Sequence, residues 1–297
     1  MNIYDCFMYF DEDLLLDLRL HILNKYVTKF VITEATYAHN GAKKELKFNI
    51  NNFKKFKDKI EYVIVDKAPP NISKIANDDS EETKGQKLVL NGYLRDNYQR
   101  NKLADGIKNA KEDDIIIISD LDEIPNLSKI NFENINNKII QFKQKMFYYK
   151  LNLYYPNFDW FGSKACKKKN LITPQWLRNI KSKKYSKFRI DLIFNKKKYS
   201  DIFFVVDGGW HFTCIRTPED LEYKLLNFAH HFEFEQSGLN KTKLKKLILD
   251  KKIMYDHKLD QGSNNKWGGK DKLEKISISD LPEHIRQNKD KYVDWLD

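Results

Sequence analysis

The sequence predicts an α/β protein: a mainly parallel sheet flanked by helices, joined to an antiparallel part and followed by a helical C-terminal region. Three observations carry this expectation. Short β-branched runs alternate with helix-spaced leucines through the first 125 residues. The run Ile115–Ile118 is apolar at every position, the signature of a strand buried on both faces. Beyond residue 125 the pattern becomes aromatic and partly alternating, then charged and helix-spaced.

Residues 3–10 read as the first strand, ended by Asp11, which is placed to cap a helix where Leu14, Leu15, Leu18, Ile22 and Leu23 recur at helical spacing. Residues 27–33, β-branched and aromatic, form the second strand. Asn40-Gly41 marks a turn, and Ile60–Val65 gives the third strand. Residues 68–80 make a polar loop with Pro69-Pro70 and Asp78-Asp79-Ser80, and residues 86–110 form a long helical stretch. Residues 114–119 are the fourth strand. Residues 138–155, with Ile140, Phe142, Met146 and Tyr148, suit antiparallel strands. Residues 203–210 add another strand, ending in Gly208-Gly209. From Pro218 onwards the chain is mostly helical, with Leu244, Leu247 and Ile248 on one apolar stripe. With no internal repeat and no linker, residues 1–297 are expected to form one domain.

Composition narrows the function. The chain has 297 residues, 41% of them hydrophobic and 13% aromatic, as in a folded domain. A net charge of +11, from 53 basic and 42 acidic residues, is spread among many Asn and Ile residues rather than gathered in a patch, so no nucleic-acid partner is expected. A diphosphate-bearing substrate or an anionic membrane surface would suit the same excess. Cys6, Cys166 and Cys214 are odd in number and far apart, so neither a disulfide framework nor a zinc motif is expected. No apolar run approaches the roughly 18 residues needed to cross a bilayer, and the N-terminus carries acids early in place of a basic leader. The expectation is a soluble, cytoplasmic enzyme-sized domain, with peripheral membrane contact allowed.

The strongest chemical signal is Ser119-Asp120-Leu121-Asp122-Glu123-Ile124-Pro125, after the isoleucine run. Residues two apart in a strand share a face, so Asp120 and Asp122 are expected to project together at the carboxyl end of a buried strand, where open α/β sheets bind ligands. Two adjacent carboxylates invite a divalent cation, Mn²⁺ or Mg²⁺, able to bridge phosphate oxygens and take up charge on a leaving nucleoside diphosphate. The plain alternative is a helix cap, which Glu123 and Pro125 also fit. A haloacid-dehalogenase-type phosphatase likewise ends a strand in Asp-x-Asp, but that motif continues into Gly-Thr near the chain start. A Mg²⁺-dependent nucleotidyltransferase and a non-catalytic carbohydrate- or nucleic-acid-binding protein are the remaining rivals.

The chain resembles glycosyltransferase family 17. The resemblance rests on Tyr4-Asp5-Cys6-Phe7, Asp11-Glu12-Asp13-Leu14, Leu18-Arg19, the run from Phe30 to Tyr37 with Asn40-Gly41, Tyr98-Gln99-Arg100-Asn101, the stretch from Asp113 to Pro125, and Gly208-Gly209-Trp210-His211-Phe212. It covers roughly the first 215 residues. It implies a GT-A (Rossmann-like) fold, a nucleotide-sugar donor (UDP-GlcNAc in the animal enzymes), Mn²⁺ or Mg²⁺, a glycan acceptor and inversion at the anomeric carbon. Residues 1–125 would then bind the nucleotide-sugar, 126–216 face the acceptor, and 217–297 form a helical extension. Animal members carry a membrane anchor and lumenal stem, whereas this chain opens almost at the catalytic segment. The composition, rich in Lys, Asn and Ile, suggests a microbial or viral source, with a surface polysaccharide, lipid-linked sugar or glycoprotein as acceptor.

Further residues fall into candidate roles. A late histidine commonly completes the metal site in GT-A enzymes, so His211 joins Asp120 and Asp122 as a ligand candidate; a core histidine bonded to a backbone carbonyl is its alternative. His230-His231 is a second candidate pair, of which at most one could reach the site. Arg100 and Asn101, before the catalytic strand, and Asp120 itself are candidates for donor binding. Glu34, at the end of the second strand, is either a ligand for base or ribose or a turn cap. Inversion needs a general base, and Asp207, Asp159 and Glu233 are the candidates. Trp160, Trp210, Tyr154 and Tyr155 would stack on sugars or belong to the core.

Overall fold

In the computed structural model the described residues are 1–186, 195, 197–228, 231–258 and 266–297. The four N-terminal strands form as expected. β1 (Ile3–Met8), β2 (Lys29–Ala35), β3 (Ile60–Val65) and β4 (Ile115–Ile118) are mutually parallel in the order β3-β2-β1-β4. Their side chains alternate between two cores. Ile115 and Ile117 pack with Phe7, Leu16, Phe30 and Phe212, while Ile116 and Ile118 pack with Cys6, Val31, Leu103 and Ile107. A strand facing apolar layers on both sides must be apolar throughout, which accounts for four consecutive isoleucines.

The first sheet continues through β9 (Lys164–Lys167), antiparallel to both neighbours, to β6 (Ile139–Phe142) and β10 (Ile202–Val205). Lys-Ala-Cys-Lys carries no alternation that marks β9 in the sequence. The second sheet has the order β12-β8-β7-β11-β5, with β5 (Glu123–Pro125), β7 (Gln144–Tyr148), β8 (Leu153–Trp160), β11 (Gly209–Thr213) and β12 (Glu274–Lys275). β7 and β8 are antiparallel as expected, but β11 runs parallel to β7.

The strand expected across residues 203–210 is two strands in two sheets. β10 ends at Val205, the chain turns through Asp207 at φ 50°, and β11 begins at Gly209. Gly209 sits at φ +134°, and a Cβ there would come within 2.1 Å of the Ile124 carbonyl, so only glycine permits the crossing. At the same level the chain passes from β6 to β7 through Lys143, whose amide donates to Val205 O at 3.0 Å.

Helix α1 (Asp13–Leu23) buries Leu15, Leu16, Leu18, Leu20 and Leu23. Asp11 does not cap it: Glu12 occupies the N-cap position, and Asp11 instead pairs with Arg216. Helix α2 (Glu81–Asn101) starts five residues earlier than expected, because Ser80 accepts from the Thr83 amide and Glu81 and Glu82 lie in the positive first turn. A short α3 (Leu103–Gly106) follows it. Helix α4 (Pro174–Arg178) opens with Thr173 accepting from the Trp176 amide.

The C-terminal region contains helices Pro218–Asn227, His231–Gln236 and Lys241–Leu249. Leu244 is buried among Met146, Tyr148 and Leu221, with Leu247 and Ile248 packed alongside, so the expected stripe is the packed face. The chain then adds β12 to the second sheet, and helix Glu283–Gln287 returns to α1, placing Leu281, Ile285 and Tyr292 in the same core as Phe7 and Leu16. Cys6, Cys166 and Cys214 are buried thiols. Among the described residues no helix is long and apolar enough to cross a membrane.

Candidate active site

At the carboxyl end of β4 the backbone does not stay extended. The Glu123 amide donates to Asp120 O at 3.0 Å, closing residues 120–123 into a turn before β5. Two-residue alternation therefore does not apply to Asp120 and Asp122, and they take different partners. Both nevertheless line one cavity of about 630 Å³ between the end of the first sheet, α2, α4 and helix Pro218–Asn227.

The turn is held from beneath by Arg19 of α1, which is fully buried. Its Nη1 donates to the carbonyls of Asp120 (3.1 Å), Leu121 (3.1 Å) and Glu123 (2.7 Å), and Asp5 of β1 neutralises its charge. Glu123, also fully buried, holds the turn from the side: Oε2 accepts from the Asp120 amide at 2.8 Å, and Oε1 from Trp160 Nε1 at 2.5 Å and Arg178 Nη2 at 2.7 Å. A Cβ on Gly162 would lie 2.0 Å from that carboxyl carbon, so the glycine makes room for it.

Asp120 is gripped by two guanidinium groups, Arg100 Nη2 on Oδ1 at 2.9 Å and Arg178 Nη2 on Oδ2 at 2.7 Å. Burial pushes its pKa up, but Arg178 and then Arg100 outweigh burial and hold the carboxyl well below the usual carboxylate range. Arg100 also donates to Asp96 at 2.7 Å and to Gln175 at 2.6 Å. Two arginines thus face three carboxylates, Asp96, Asp120 and Glu123, so the cluster has no positive surplus to offer an incoming anion.

Asp122 turns the other way. Its Oδ1 lies 3.6 Å from His211 Nε2 on β11, and Trp160 stacks on that imidazole with ring centroids 4.9 Å apart. His211 Nδ1 is buried without a hydrogen-bond partner, so the ring is not the carbonyl-bonded core histidine of the alternative reading. A carboxylate and an imidazole at this spacing suit one divalent cation, whose adjacent ligands stand about 3 to 3.4 Å apart. The expected trio of Asp120, Asp122 and His211 does not assemble: their ligand atoms do not all lie within 4.8 Å of one another, because the arginines hold Asp120.

Other expected residues lie elsewhere. Asn101 does not line the cavity; its Oδ1 accepts from the Gln175 amide at 3.0 Å and so anchors the start of α4, which carries Arg178. Glu34 is fully buried and accepts from the Lys47 amide (2.7 Å), the Phe48 amide (3.0 Å), Tyr62 (2.8 Å) and the Lys44 ammonium, which makes it the loop cap. None of the three base candidates lines the cavity. Asp159 pairs with Lys143 at 2.8 Å, exposed Asp207 sits in the β10–β11 turn, and Glu233 pairs with Lys266 at 2.5 Å. His231 Nδ1 donates to the Phe228 carbonyl at 3.1 Å, and His230 lies outside the described residues. Trp160 stacks on His211 and donates to Glu123. Tyr155 is core, bonded to Asp271 at 2.7 Å, and Tyr154 and Trp210 pack against the apolar cluster.

Residues without a sequence-derived role complete the cavity. Glu12 faces Arg216 and Lys224, both at 3.2 Å. Burial would raise its pKa, but Lys224 and Arg216 lower it to about 2, which leaves it a poor proton acceptor. His39, at the rim, meets Gln99 Oε1 through Nε2 at 3.2 Å and has Asp96 3.9 Å from Nδ1. The Gln99 amide nitrogen already donates to Thr33 O at 3.1 Å, so its oxygen accepts; His39 Nε2 carries the proton, and the Nδ1 lone pair is left beside Asp96.

Residues 1–296 match glycosyltransferase family 17. The Beta-1,4-mannosyl-glycoprotein 4-beta-N-acetylglucosaminyltransferase of Homo sapiens is 34% identical over 119 residues, and that of Rattus norvegicus gives the same figures. The aligned stretch spans 37% of this chain and only 19% of each relative. The crystal structure of HddC from Yersinia pseudotuberculosis aligns over 70% of this chain and 91% of that one at 9% identity and a TM-score of 0.33, too distant to bear on the assignment.

Proposed function

The chain belongs to glycosyltransferase family 17, and from that premise we propose that it is an inverting enzyme of GT-A architecture that moves GlcNAc from UDP-GlcNAc to a glycan hydroxyl with the help of Mn²⁺ or Mg²⁺. Membership sets aside the phosphatase, nucleotidyltransferase and binding-protein alternatives. The observation that carries the finer reading is the pairing of Asp122 with His211, 3.6 Å apart, beside a cavity whose arginines are already matched by carboxylates. A diphosphate entering such a site needs positive charge from outside the chain.

In this mechanism Asp122 and His211 would hold the cation, which would supply Lewis acidity toward the diphosphate. Asp120, kept ionised and rigid by Arg100 and Arg178, accepts hydrogen bonds from donor hydroxyl groups. The base role passes from the three acids outside the cavity to His39. Its Nδ1 takes the acceptor proton as the hydroxyl oxygen bonds to the anomeric carbon and the bond from that carbon to the phosphate oxygen breaks, UDP leaving with the electron pair; Asp96 stabilises the resulting imidazolium. Lys224, half-buried and paired with Glu12, lines the cavity from helix Pro218–Asn227.

The decisive experiment measures UDP-GlcNAc binding and transfer with and without Mn²⁺, in wild type and Asp122→Ala. The variant should lose metal-dependent UDP binding and transfer while keeping its melting temperature. Full transfer by the wild type in the presence of a chelator would overturn the proposal.

A further inference from the structure

We propose a second metal site, independent of the sugar-transfer reading: a zinc site formed by Asp17 and His21 on α1 and His284 on helix Glu283–Gln287, tying the C-terminal segment to the N-terminal helix. Asp17 and His21 are four residues apart, so both side chains leave α1 on one face, and packing of the C-terminal helix brings His284 against them. One ligand atom from each of the three lies within 4.8 Å of the other two. The imidazole rings of His21 and His284 stack with centroids 4.3 Å apart at 18°.

The hydrogen bonding around this cluster is incomplete. His284 Nε2 is buried and has no partner. His21 Nδ1 lies 2.9 Å from Asp17 O, which places the proton on Nδ1 and leaves Nε2 with its lone pair. Asp17 Oδ2 meets Lys291, while Oδ1 lies 3.4 Å from His21 Nδ1. Two imidazoles and one carboxylate are the ligand chemistry of zinc, with water as the fourth ligand, and not that of Mg²⁺, which prefers oxygen. Ligands about 2.1 Å from a tetrahedral ion stand about 3.4 Å apart, so occupancy requires one ring to tip out of the stack. Asp17 and His21 are each 21% exposed, enough for an ion to enter from solvent. The cluster flanks Arg19, so an ion there would brace the helix that holds the Asp120–Glu123 turn.

The test uses the metal-stripped full chain carrying Asp122→Asn, so that the candidate active site does not contribute, and reads melting temperature against added ZnCl₂ or MgCl₂. Zinc should raise the midpoint by roughly 5 °C when present at about a hundred times its dissociation constant, and magnesium should not. Adding His284→Gln, or His21→Gln should the first fail to fold, should abolish the zinc shift. No zinc shift in the Asp122→Asn protein, or a shift that survives the histidine substitution, would overturn the proposal.

Discussion

Arg19 and Asp5 form a two-pronged ion pair, Nε to Oδ2 at 2.7 Å and Nη2 to Oδ1 at 2.6 Å, with both side chains fully buried. The pair links α1 to β1, and its remaining nitrogen holds three carbonyls of the turn that carries Asp120 and Asp122. The position of the candidate active site is thus written into the core.

Removing one partner of this pair strands a buried charge. Asp5→Ala should lower stability by about 3–5 kcal/mol in urea unfolding. The double substitution Asp5→Leu with Arg19→Met, which removes both charges, should recover most of that loss without restoring transfer, because the three carbonyls lose their donor. A double variant as unstable as Asp5→Ala would show that the charge balance is not what matters.

Arg178 contacts both Asp120 and Glu123 through Nη2, and it donates through Nη1 to Gly162 O. Arg178→Lys keeps the charge but cannot span these acceptors. It should therefore reduce kcat/KM by about 10²-fold or more, in line with the loss of a positioned donor, with a change in melting temperature smaller than that of Arg178→Ala. Equal activity in the lysine variant would mean that charge alone suffices.

His39→Gln should reduce kcat by about 10²–10⁴-fold, the range for loss of a general base, while UDP affinity stays unchanged. The pH–rate profile is the more telling measurement. An acidic limb is expected in the wild type and should be absent from the variant; its persistence there would return the role to another group.

Stability should fall in acid through His257. Burial, and next to it the proximity of His211, lower its pKa from 6.5 to about 3. The unfolded chain takes up the proton near pH 6.5 and the folded protein only near pH 3, so the unfolded state binds more protons between those values. Stability contributed by this residue is complete above pH 6.5 and declines as the pH drops toward 3, by up to about 1.4 kcal/mol per pH unit. His257→Phe should flatten that stretch of the curve of urea midpoint against pH.

Much of the fold was legible because periodicity reports burial. The isoleucine run placed β4, the leucine spacing placed α1, and the limits of β3 were read residue for residue. The 203–210 strand failed because composition cannot tell one strand from two that meet at a glycine, and β9 failed because Lys-Ala-Cys-Lys carries no pattern. At the site, a local signal marked Asp120 and Asp122 and the family resemblance marked Arg100 and His211; the structure sets Asp120, Asp122 and Arg100 on one cavity and His211 beside Asp122. Two structural residues stand out in the sequence by type alone: Asp5 is an acid inside an apolar strand, and Arg19 a cation on a buried helix face.

Local pattern alone was enough to place β1 to β4 and α1 and to put an acid pair at the end of the central strand, because these follow from patterns a few residues long. Only the tertiary structure decided that Arg178 reaches Asp120 across 58 residues, that Arg19 reaches the same turn across 101, and that Asp159, Asp207 and Glu233 stand outside the cavity. The physical reason is range. Burial periodicity is set by neighbouring side chains, whereas the partner of a charge is set by where distant parts of the chain cross, and that depends on how the whole sheet packs.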